Sequence, residues 1–290
     1  MLHRAAKLLI FSLLLLFAVI FLFPVLITLT NSFMSVFEAA RRYSAWFSAA
    51  NTYDAGFEGI HYARVSLTPD LVTLKQYTAL LFGSPLYLGL FLNSIKLTAP
   101  IIAGQVIISV PAAYAFETSR LKFKEALYFI YVVIMLLPLQ VTLVPNFIMA
   151  GFLNMNGYLA IIIPAVFSPF GVFLVRQNLK GIPGEYAEAA KIDGAGHVKI
   201  FIYIILPLIK GAVASLSILV FIEYWNVVDQ AVIFIKESVH EPLSVYLSRL
   251  AGEGGGVIFA ASCFYMFPTL LVFLYGQEYM AEGIQLSGIK

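Results

Sequence analysis

The sequence predicts an all-α, polytopic membrane protein with six transmembrane helices and one long cytoplasmic loop. Three observations carry this reading. Of 290 residues, 61% are hydrophobic and only 12% charged, against roughly 25% charged in a soluble domain. With mean hydropathy +0.90, the chain lacks the polar side chains to cover itself in water. Six segments also approach the ~20 apolar residues that a helix needs to cross a bilayer. None of them alternates as barrel strands do, and backbone groups without water partners in lipid then have to be helical.

The first apolar run, about residues 8–30, is longer than the apolar core of a signal peptide. No small-x-small cleavage site follows it closely, so it reads as an uncleaved first span. A long external loop, about 31–88, comes next. Its stretch YSAWFSAANTYDAGFEGIHYARVSLTPD is rich in aromatic and small polar residues. Within it, VTLKQYTALLF (72–82) has the pattern of an interfacial helix. The remaining spans fall at about 89–117, 126–149, 159–176, 208–228 and 257–279. Pro24, Pro100, Pro111, Pro138, Pro164, Pro169 and Pro268 lie in or beside these spans and predict kinks.

Orientation follows from lysine and arginine in the short loops. Arg4 and Lys7, then Arg120, Lys122 and Lys124, then Arg176, Lys180, Lys191, Lys199 and Lys210, with Lys290, all fall on one side of a six-span topology. The basic residues of the other side are fewer and balanced by acidic ones. Both termini of this multi-pass protein are therefore expected in the cytoplasm. A net charge of +2 with no basic tract gives no footprint for nucleic acid. The single cysteine, Cys263, excludes an intrachain disulfide and an all-cysteine metal site.

The cytoplasmic loop of about 177–207 is the least lipid-like part of the chain. Pro183 suits a helix first turn. Glu185 and Glu188 sit where a helix N-terminus favours negative charge, and Lys191 lies toward the end that favours positive charge. Gly194 can take the positive φ that stops a helix. These features predict a short helix over about 184–193. On it Glu185, Glu188, Ala189 and Ile192 share one face by helical spacing, acidic and apolar together. Ala189 and Ala190 are small enough to let another backbone approach. Leu206 and Pro207 end the excursion before span five. The segment reads either as a docking site for a cytoplasmic partner or as an ordinary solvated loop helix.

EAAKIDGAGHVKIFIYIILP, residues 188–207, resembles a known signature. Glu188-Ala189-Ala190, three residues, Gly194, nine residues, Ile204, one residue and Leu206-Pro207 match the EAA loop of permease subunits of bacterial ABC importers. LKFK (121–124), SPFGVFLVRQNLKGIPGEYAEAAKIDGA (168–195) and FIEYWN (221–226) are similar to the carbohydrate-uptake branch, in its maltose-type second permease subunit. The resemblance covers nearly the whole chain as one transmembrane domain, residues 1–290. The aromatic loop at 36–66 looks like an insertion, and Ser287 stands where a terminal glycine is common.

The resemblance implies that the loop helix is a coupling helix seated in a groove of a separate ATP-binding subunit. Glu185, Glu188, Ala189, Ala190, Ile192, Asp193, Gly194, Leu206 and Pro207 are its candidate residues. Glu188 is expected to pair with a basic residue of that subunit. The implied partners are a second permease in a heterodimer, two ATP-binding subunits, an extracytoplasmic solute-binding protein and the lipid bilayer. No cofactor is expected on this chain, and ATP with its Mg would sit on the ATPase subunits. The chain has no GxxxxGK[ST], and it is expected not to be an enzyme. The implied mechanism is alternating access driven by closure of the ATPase pair, with a sugar or oligosaccharide as the solute.

Polar residues inside spans are costly, ~2.5–3.5 kcal/mol each at mid-helix on insertion scales, and so invite a functional reading. Glu223, Tyr224, Trp225 and Asn226 form the densest polar-aromatic cluster, with Asn93 on span two. They either line a sugar pathway or pack helices and anchor an interface. Glu117, near the end of span two, reads as solvated, and Lys96 as snorkelling. A free-standing secondary carrier of a small polar solute is the alternative. Such carriers show inverted repeats and midplane carboxylates, and neither is visible here. No protease or hydrolase motif occurs.

Overall fold

The computed structural model describes residues 2–39, 41–43, 67–83, 85–253 and 257–288, with backbone alone at 2–6, 251–253 and 280–288. The aromatic stretch 44–66 lies outside the described residues, which are helical and contain no strand. Four helical stretches are long and apolar enough to cross a membrane: Lys7–Asn31, Leu86–Thr118, Tyr158–Leu179 and Ile258–Tyr279. Two bent helix pairs bring the number up to six if each is one span.

The chain sorts into two compact units. One comprises Met1–Gly89 with Tyr246–Pro268, and the other Leu90–Val245 with Thr269–Lys290. Helix α1 (Leu2–Asn31) opens the first. Residues 7–26 are exposed without exception and almost wholly apolar, a surface suited to lipid rather than water. The interfacial helix expected over 72–82 is α2, Lys75–Phe82. It does more than lie on a surface, because its Gln76 is fully buried. The Gln76 amide donates to the carbonyls of Asn31 (3.0 Å) and Met34 (2.7 Å) and accepts from the Ala260 N–H (3.3 Å). The two carbonyls lie at and just beyond the end of α1, and the Ala260 N–H is one that the first turn of the last helix leaves open.

Nearby, Glu38 accepts from the Asp70 N–H at 2.8 Å, and Arg42 pairs with Glu38 (3.0 Å) and Asp70 (2.6 Å). The hydrogen bond from Arg42 holds the Asp70 carboxyl below its usual range. This tie is therefore complete at neutral pH and is lost only as pH falls well below about 4. It joins the segment that ends at residue 43 to the one that begins at residue 67.

The second unit contains α3 from Leu90 onward (the helix runs Leu86–Thr118), α4 (Lys124–Met135), α5 (Leu139–Phe152), α6 (Tyr158–Val166) and α7 (Pro169–Leu179). It continues with α8 (Glu185–Ile192), α9 (His197–Leu208), α10 (Lys210–Trp225) and α11 (Asp229–Phe234). Helices α12 (Leu243–Glu253) and α13 (Ile258–Gly288) are shared between the units. Leu97, Ile101, Val172, Val175, Leu216 and Val220 are at most 1% exposed and centre the core. Helix α7 packs on α4 and α10.

Three expected spans are interrupted. The run at 126–149 is two helices bent by 101°, because Pro138 has no N–H to continue the first helix and forces Leu137 away from helical backbone. The span at 159–176 breaks between α6 and α7 at Ser168-Pro169. There the Ala165 carbonyl, which Pro169 cannot bond, receives the Gln105 amide at 2.8 Å. The third interruption lies before span five, where Leu206-Pro207 does not end the preceding helix. Helix α9 runs through Pro207 to Leu208, and α10 leaves it at 71°. A π-helical turn, Phe201–Ile205, widens the helix around the Tyr203 carbonyl with which the proline ring would otherwise collide.

Candidate functional site

Helix α8 is built as its sequence requires. Glu185 and Glu188 occupy its first turn and Lys191 its last. Its start is one residue later than expected: Gly184 is the cap and Pro183 precedes it. Its end is a Schellman closure. Gly194 takes φ +80°, its N–H bonds the Lys191 carbonyl at 3.0 Å, and the Ala195 N–H bonds the Ala190 carbonyl at 2.9 Å. A Cβ at position 194 would meet nothing within 4 Å, so glycine is needed there for its backbone freedom and not for space.

The helix has two unlike faces. Ala190 is buried in the core with Ile200 and Ile205, so it fastens α8 from beneath. Glu185, Glu188, Ala189, Ile192 and Asp193 are all exposed, and Ile192 is 87% exposed. This exposed apolar side chain stands beside three carboxylates, Glu185, Glu188 and Asp193. Pro183, Glu185, Tyr186, Ala189, Ala190, Asp193 and Ile204 line a shallow groove of about 590 Å³. Leu206 is half-buried and Pro207 exposed. Of the predicted loop residues, the structure brings Glu185, Ala189, Ala190 and Asp193 to this groove.

The second predicted group divides. Trp225 is 1% exposed, stacked on Phe221 (centroids 5.2 Å apart) and met edge-on by Phe91 (5.5 Å). Tyr224 is buried as well. The buried Asn93 amide donates to the carbonyls of Val239 (2.8 Å) and Glu241 (3.2 Å). Beside it the Ser94 hydroxyl accepts from the Leu243 N–H at 2.9 Å, so these two residues hold the segment before α12. Glu223 and Asn226 alone are exposed, three residues apart on one side of α10. The Asn226 amide also donates to the Ile222 carbonyl at 2.7 Å.

Sequence reasoning missed one cluster. Glu117, expected in solvent, pairs with Arg176, which also binds Glu125. Arg176 lies 59 positions from Glu117 and 51 from Glu125 in the chain. The available signal was two carboxylates at the ends of spans otherwise flanked by basic residues.

Comparison with known proteins extends this picture. Residues 105–279, more than half of the chain, match the family described as binding-protein-dependent transport system inner membrane component. The chain is 27% identical over 226 residues to the arabinooligosaccharides transport system permease protein AraQ of Halalkalibacterium halodurans, covering 77% of this chain and 81% of that one. It is 31% identical over 207 residues to the osmoprotective compounds uptake permease protein GgtD of a Synechocystis species, covering 69% and 70%. Its fold is that of a chain in the crystal structure of a bacterial ABC transporter involved in the import of the acidic polysaccharide alginate. The TM-score there is 0.76, with 23% identity over 95% of this chain and 96% of that one. Such permeases are the membrane-embedded components of their systems, and ATP is hydrolysed on other subunits. On the match over residues 105–279, the chain belongs to the family of binding-protein-dependent transport system inner membrane components.

Proposed function

We propose that this chain is one of two permease subunits of an ATP-driven importer of a sugar or oligosaccharide. In this reading residues 1–290 form a single transmembrane domain of six spans, each bent pair being one, with both termini in the cytoplasm. The partners are a second permease, two ATP-binding subunits and an extracytoplasmic solute-binding protein. ATP and Mg belong to the ATP-binding subunits. The relatives named for arabinooligosaccharides and alginate support the solute class.

The observation that carries the reading is α8: an exposed acidic and apolar face on a helix held from beneath by Ala190 and closed by Gly194. Such a helix passes a push to the membrane only if it keeps its shape, and the Schellman closure and buried alanine provide that. The acidic groove calls for a basic, partly apolar surface on the ATP-binding subunit. Glu223 and Asn226 are the exposed side chains of the second cluster, and in this reading they face the solute pathway. Tyr224, Trp225 and Asn93 frame them.

The test is affinity purification of the chain from its host in mild detergent, with mass spectrometry of what accompanies it. Near-stoichiometric recovery of an ATP-binding subunit and a second permease is expected. Glu188→Arg sets a like charge against the expected basic partner, at several kcal/mol, and should lower ATPase recovery about a hundredfold while the protein still inserts. A chain that purifies alone and moves solute in liposomes by itself is a carrier, and the reading fails.

A further inference from the structure

Helix α7 ends in a charged knot that connects the loop to two other helices. The Arg176 guanidinium is 2% exposed. Its Nε donates to Glu117 at 3.2 Å, at the end of α3, and one terminal nitrogen donates to Glu125 at 2.6 Å, at the start of α4. Its central carbon lies 3.9 Å from the centroid of the Tyr128 ring on α4. The other terminal nitrogen, Nη1, is buried without a hydrogen bond.

Such a knot is a poor device for stability alone, because burying the guanidinium is costly and an ion pair with a solvent-exposed carboxylate returns little. It is a good device for position, since a planar fork meets two carboxylates in only one arrangement. Arg176 also stands next to the loop. The N–H groups of Lys180, Gly181 and Ile182 bond back to the carbonyls of Arg176, Asn178 and Leu179 at 3.0–3.1 Å, and α8 starts at Glu185. Beneath α8, Ala190 lies in the same core as Val175 and Leu179 of α7. The path from α8 to Arg176 is thus short, hydrogen-bonded and packed. At its far end Glu125 is 64% exposed, so that half of the knot opens without exposing apolar core. The unused Nη1 leaves the guanidinium able to exchange partners.

We propose that Arg176 is a positioning residue that fastens the α8 loop to the α3–α4 corner, so that a displacement of α8 is passed to those two helices. This rests on the reading of α8 as the partner-docking helix.

The test uses the full importer complex in liposomes, in a Cys263→Ser background, with spin labels at Lys191→Cys on α8 and Leu121→Cys in the α3–α4 turn. A second pair, Lys191→Cys with Val239→Cys, reports whether α8 moves when a non-hydrolysable ATP analogue is added. The expected result is a shift in the second pair with the first pair unchanged, because α8 and the corner travel together. In Arg176→Lys and in Glu125→Gln, an exposed change that leaves packing intact, the first pair should shift by about 2 Å, the scale of helix displacements at switching interfaces. A first pair that shifts in the unmodified knot, or stays fixed in both variants, overturns the proposal. A second pair that never responds while the ATPase is bound overturns the docking reading instead.

Discussion

The α8 loop and the polar-aromatic cluster of α10 stand out alike in a greasy sequence, yet they face opposite ways. In α8 three carboxylates and Ile192 point outward while an alanine holds the helix down. In α10 the largest side chains, Tyr224 and Trp225, point inward and only Glu223 and Asn226 remain outside. The difference comes from side-chain size. A small residue beneath a helix lets it lie close to the core with its functional groups free. A tryptophan offers more apolar area than any other side chain, and burying it dominates the local energetics. Polar residues near a tryptophan in a span are therefore weaker evidence for a solute site than polar residues over an alanine in a loop.

The contrast is sharpest at Trp225. Trp225→Ala should cost about 3–5 kcal/mol, read as a lower melting temperature of the detergent-solubilised protein. An unchanged melting point would mean that the ring faces the pathway after all. Gly194→Ala should cost about 1–2 kcal/mol from a side chain at positive φ. Its readout is reduced recovery of the ATP-binding subunit with unchanged membrane insertion. Equal recovery would show that the loop tolerates a different turn. The smallest expected effect is at Ile192: Ile192→Ala should change the stability of the isolated chain by no more than about 0.5 kcal/mol, read as an almost unchanged melting temperature. A large loss would mean that Ile192 packs at home and the faces of α8 have been misassigned.

Much of this was legible in the sequence. The acidic first turn, Lys191 and Gly194 define α8 because helix ends are written in local chemistry within a few residues. The runs of apolar residues marked the four helical stretches long and apolar enough to cross a membrane. The bends were legible only as prolines. Pro24 lies inside an unbroken helix, whereas Pro138 stands between two helices, and the proline itself does not tell the two cases apart. The burial of Trp225 and the amide bridges of Asn93, Gln76 and Gln105 were not legible, because each depends on which distant backbone a side chain meets. Arg176 was hidden for that reason too: its partners are close in space and far apart in the chain.

The same arginine bears on how many times the chain crosses the bilayer. Its two ion pairs put the end of α3, the start of α4 and the end of α7 on one side. If Tyr158–Leu179 crosses, α6 starts on the opposite side, and the bent pair α4–α5 has to carry the chain there. A re-entrant dip, which returns to its own side, is then incompatible with the arginine's contacts. On that condition the pair is one crossing despite its 101° bend, by parity.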